Sequence, residues 1–149
     1  MVTPVKKPVF LQIATVLSAL LLPTITAGQP SGSGQLATAQ SAELVLGEST
    51  VCENVQNGIP EQSAVAFSVS LKRVYCYTDF STVPEKSFAY HNWYLRDNLK
   101  ASVKLTVRPP RWSTYSSIQL RDSDKGPWRI EITDEEGSIL KTLRFSVID

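Results

Sequence analysis

Apolar and polar residues alternate along most of the stretch from Arg73 to Asp149. Strict alternation places successive side chains on opposite faces of a strand, one face buried and one wet. Trp128, Ile130 and Ile132 alternate with Arg129, Glu131 and Thr133. Ala101, Val103, Leu105 and Val107 share one face of the Lys100–Val107 stretch. Half-buried strands need a second sheet to cover them, so the pattern predicts an all-β fold, a single antiparallel β-sandwich of about seven strands, immunoglobulin-like or related. Further extended pieces are expected over 43–46, 50–55, 65–69, 73–80, 87–95, 112–120, 127–133 and 139–148. Turns are expected at Asn57-Gly58 with Pro60, at Asp97-Asn98, at Pro109-Pro110 and at Glu135-Glu136-Gly137. Nothing beyond the amino-terminal stretch has helical periodicity, and no internal repeat is visible.

The amino terminus sets the expected compartment. Lys6 and Lys7 precede an apolar run from Val9 to Leu22, which Pro23 and small residues up to Ala27 and Gly28 close. That order describes a secretory signal peptide over residues 1–27. The run is shorter than the roughly 20 apolar residues of a transmembrane helix. An uncleaved anchor and a buried core helix are the alternatives. Residues 28–42, rich in Gly, Ser, Gln, Ala and Thr, are expected to be a flexible linker, and 43–149 one β-sandwich domain. The expected setting is export to the periplasm or cell surface. Membrane contact is expected only through an uncleaved anchor.

Charge narrows the partners. The chain has fifteen Lys and Arg against fourteen Asp and Glu. Removing Lys6 and Lys7 leaves thirteen against fourteen, a net charge near −1. A nucleic-acid binder would carry a large positive excess, so none is expected. The two cysteines, Cys52 and Cys76, have the wrong spacing for a redox motif and are too few for zinc. Behind an export signal they are expected to form a disulfide, closing a loop of about 25 residues and stabilising the fold by about 3 to 4 kcal/mol.

An ordered set of residues then carries a resemblance. His91 and Trp93, Trp112 and Ser116, Gly126 and Trp128, Asp134 and Gly137, and a closing Phe145 follow one another. Together with Val-Cys-Glu-Asn-Val and Val-Tyr-Cys-Tyr-Thr around Cys52 and Cys76, this order resembles the domain of unknown function 2914 family. Members often have a basic residue after the serine pair, whereas Ser116-Ser117 is followed by Ile118. The resemblance implies an exported β-rich domain and no particular activity.

The chemistry-bearing residues are sparse. His91 is the sole histidine, so any serine or cysteine hydrolase would have to use it as base. It shares a strand face with Ala89, Trp93 and Leu95, as a structural histidine would. Asp122-Ser123-Asp124-Lys125-Gly126 begins like a calcium loop but lacks the later bidentate glutamate, and reads as a solvated turn. No metal and no cofactor are expected. The aromatic residues Phe88, Tyr90 and Tyr94 line the other face of the same strand, where exposed rings would stack on sugars or anchor a protein. Lys104, Arg108 and Arg111 form a basic row suited to an anionic polymer or lipid headgroups. The expected function is a non-catalytic binding module of the bacterial cell envelope, monomeric, whose partner is an envelope protein or a polysaccharide. A carbohydrate-binding module using the exposed aromatics is one alternative, and a hydrolase centred on His91 another.

Overall fold

The computed structural model describes residues 43–149. The expected signal peptide and linker fall outside these residues. Nine strands follow in order: β1 Val45–Gln56, β2 Ile59–Ser63, β3 Ala66–Ser68, β4 Arg73–Thr82, β5 Ser87–Leu95, β6 Asn98–Val107, β7 Trp112–Gln119, β8 Gly126–Thr133 and β9 Ile139–Ile148. Short 3-10 turns at Val69–Leu71 and Asp122–Asp124 are the other regular elements. The turn expected from Asp122 to Lys125 is therefore present.

Two sheets form the sandwich. One has the order β2-β1-β4-β7, the other β3-β9-β8-β5-β6. Strands β4 and β7 adjoin in one layer and β9, β8 and β5 in the other, which is the two-layer order of an immunoglobulin-like sandwich with β6 added beside β5. All pairings are antiparallel except β3 with β9, so the second sheet is mixed. The piece expected over 43–46 and that over 50–55 belong to one strand, β1, whose register shifts around Gly47. Pro60 does not end strand formation, because β2 lies at a sheet edge, where a missing donor is tolerated. The β5–β6 turn consists of Arg96 and Asp97, both with positive φ (47° and 67°), one residue earlier than the sequence suggests.

Alternation fixes which side chains meet between the layers. Val51, Val74, Cys76 and Phe80 come from the first sheet, and Ala89, Trp93, Leu95, Ile130, Ile132, Phe145 and Val147 from the second. Phe145 is the hub. Its ring stacks on Trp128 with centroids 5.9 Å apart, and meets Trp93 at 6.2 Å and Phe67 at 5.8 Å edge-on. Trp93 sits on β5 where immunoglobulin domains carry their buried tryptophan.

The expected disulfide is not formed: Cys52 and Cys76 are both buried free thiols. The register explains why. Val51 pairs with Cys76 and Cys52 pairs with Tyr75, so the two cysteines project from opposite faces of the sheet. Cys76 faces the core, where burial raises its pKa to about 12. Cys52 is on the outer side beside Tyr75, and burial raises its pKa as well. Neither is a ready thiolate.

Candidate functional site

The residues with the most chemical potential are sealed inside. His91 is completely buried and bonded at both ring nitrogens. Its Nε2 lies 2.8 Å from Thr78 Oγ1 on β4, and its Nδ1 lies 2.8 Å from Ser116 Oγ on β7. Trp93 Nε1 donates to the same Ser116 oxygen at 3.1 Å. The four side chains form a polar bridge between the sheets. A neutral ring satisfies it in either tautomer, donating at one nitrogen and accepting at the other. Burial lowers the His91 pKa to about 4, so the ring is neutral at physiological pH. A base in this position has no open path to a substrate, and its serine neighbour is engaged with Trp93. Among the described residues no group of three or more His, Cys, Asp or Glu is placed to hold a metal.

The residues of the quoted motifs mostly build the interior. Trp93, Trp128 and Phe145 are core, His91 and Ser116 make the polar bridge, and Trp112 packs against the core margin. Gly126 has φ +125°, and a Cβ there would lie 3.0 Å from the Arg96 guanidinium. Gly137, at φ +88°, closes the β8–β9 turn, where Asp134 Oδ1 accepts from the Ser138 amide. These positions specify the fold.

The outward face of the β3-β9-β8-β5-β6 sheet is the better candidate. Along β5, Ala89, His91, Trp93 and Leu95 point inward, while Phe88, Tyr90, Asn92 and Tyr94 are half-exposed on the outside. Cations lie over the rings: Lys104 Nζ is 3.6 Å from the Phe88 centroid and 5.9 Å from that of Tyr90, and the Arg129 guanidinium is 4.1 Å from Tyr94. Between the rings runs a polar row across four strands, Ser102, Asn92, Glu131 and Thr142, with Ser102 Oγ donating to Asn92 Oδ1 at 2.6 Å. The strand is thus core on one side and surface on the other.

The basic row expected from the sequence does not stay together. Lys104 belongs to this face. Arg108 instead packs over Trp112, with its guanidinium 5.4 Å from the ring, and Arg111 pairs with Asp79 of β4 at 3.2 Å. What the sequence did not single out is the contribution of β8 and β9. Arg129 and Arg144 pair directly across these strands, and their outward alternation with core residues was the available signal.

The family model described as protein of unknown function (DUF2914) matches residues 88–147. The resemblance carried by the sequence holds over that stretch. It runs from β5 to β9 and contains the whole polar and aromatic face, together with His91, Ser116 and Phe145. The segments around Cys52 and Cys76 precede it. No curated protein matches the chain. Among the described residues no helix is long and apolar enough to cross a membrane.

Proposed function

We propose that this chain is an exported, non-catalytic binding module of the bacterial cell envelope, and that the outward face of the β3-β9-β8-β5-β6 sheet is its contact surface. One observation carries this reading: three aromatic rings lie on that face rather than in the core, with Lys104 over Phe88 and, farther off, Tyr90, and Arg129 over Tyr94. Rings fixed in this way give contact area at little cost in side-chain freedom. The sealed position of His91 speaks against a hydrolase built on it. Export rests on the amino-terminal pattern of Lys6, Lys7 and the apolar run. A carbohydrate ligand is the second reading, favoured by the amide and hydroxyl row between the rings.

The double variant Tyr90→Ser/Lys104→Gln tests the surface. Both side chains are on the outside, so the thermal midpoint is expected to stay within a few degrees of wild type. Envelope components retained by the immobilised wild-type protein should be lost at least tenfold by the variant. Equal retention by a folded variant would remove this face from the account.

A further inference from the structure

At the β5–β6 turn end of the same face, three arginines line one cleft. Arg96, Asp97, Pro127, Trp128, Arg129 and Arg144 line an open cleft. Arg129 and Arg144 are directly opposite in the β8–β9 register. Like charges in such a pair repel at a separation of about 5 Å. Arg129 is compensated: its Nε donates to Glu131 at 2.9 Å and its Nη1 pairs with Asp97. Arg144 is exposed and has no ion-pair partner among the described residues. The third group arrives by a conformation that disfavours it. Arg96 has φ 47°, a left-handed backbone that a long side chain rarely adopts, and its guanidinium lies against Gly126 and donates to Lys125 O at 2.7 Å. Two local rules of sheet and turn construction are therefore broken at one spot, which is where function is expected to override stability.

We propose that this cleft binds the carboxylate of an acidic sugar unit in a polysaccharide. The proposal rests on the reading of this face as the contact surface and names its ligand class. Arg96, Arg129 and Arg144 outnumber the carboxylates of Asp97 and Glu131 by one positive charge, and the exposed fork of Arg144, which has no ion pair among the described residues, matches a carboxylate. A carboxylate between Arg129 and Arg144 relieves their repulsion. The adjoining row suits the rest of a sugar. Tyr94, Arg129 and Arg144 form one cross-strand row, and Ser102, Asn92, Glu131 and Thr142 form the next. Neighbouring rows on one sheet face are about 6.6 Å apart, close to the width of one pyranose ring. A uronic acid lying across them places its carboxylate on the arginines and its hydroxyls on the amide and hydroxyl row. An extended peptide would seek a sheet edge for its backbone bonds, and β8 and β5 are internal strands with no free edge.

Calorimetric titration of the chain as its host produces it tests the proposal, with a hexamer of galacturonic acid, a neutral glucose hexamer and sodium phosphate as probes. The acidic hexamer should bind at sub-millimolar concentration and weaken as salt is raised. Arg144→Gln and Tyr94→Ala should each raise its Kd tenfold or more. Arg144 is exposed and opposed by Arg129, so Arg144→Gln without ligand should melt at or above the wild-type temperature, which separates lost binding from lost folding. Unchanged affinity in Arg144→Gln, equal binding of the neutral hexamer, or binding of phosphate alone would each overturn the assignment. Failure of the acidic hexamer while the Tyr90→Ser/Lys104→Gln variant still loses its envelope components would refute the sugar and leave the contact surface standing.

Discussion

Replacing His91 by Gln should flatten the acid side of the stability profile. The folded pKa of His91 is about 4, below the value of about 6.5 in an unfolded chain. Between these values the unfolded chain takes up a proton that the folded chain refuses, so folding loses free energy as pH falls. The contribution is complete above pH 6.5, declines from there to pH 4 and is constant below. A shift of this size corresponds to about 3 kcal/mol. At pH 7.5 His91→Gln should cost about 1 to 3 kcal/mol, because the amide cannot serve Thr78 and Ser116 in the same way. Urea unfolding of both proteins at pH 7.5 and pH 4.0 should show the gap between them close or reverse at the lower pH. Carboxylates titrating in the same range affect both proteins alike and cancel in the comparison. A gap that stays constant would mean that the imidazole is solvated and titrates normally.

Truncating Phe145 should be still more damaging. The side chain is 4% exposed and touches the rings of Phe67, Trp93 and Trp128, which come from β3, β5 and β8. Phe145→Ala removes the centre of that cluster, and rigid neighbouring rings cannot collapse to fill the gap. The expected loss is about 3 to 5 kcal/mol at pH 7, a large part of the stability of a domain this size. Phe145→Leu keeps most of the volume and should cost about half as much or less. Urea midpoints with unchanged slopes would give both values. A loss below about 1 kcal/mol for Phe145→Ala would show that the cluster is loosely packed.

The strands were legible because alternation is local. Trp128, Ile130 and Ile132 announce which face of β8 is buried, and the structure places all three in the core. The same reasoning placed His91 on an inward face. Register was not legible. Whether Cys52 and Cys76 share a face depends on a one-residue offset between β1 and β4, and their spacing in the chain carries no trace of it. The disulfide expectation failed for that reason. The basic row split for a related one: beyond the cis Pro109-Pro110 bond, Arg111 enters the other sheet and meets Asp79. Arg129 and Arg144 are fifteen positions apart in the chain, and only the pairing of β8 with β9 brings them together. Alternation marks them as outward-facing without saying what stands opposite.

The division of labour between a sealed interior and an outward binding face is tested most directly by photocrosslinking in the native host. A photoreactive phenylalanine analogue would be placed, one position at a time, at Asn92 and Thr142 on the face of the β3-β9-β8-β5-β6 sheet and at Asn54 and Ser117 on the outer face of the opposite sheet. The account predicts discrete adducts with envelope material from Asn92 and Thr142, and none from Asn54 and Ser117. Adducts from Asn54 and Ser117 alone would place the contact surface on the wrong sheet and contradict it.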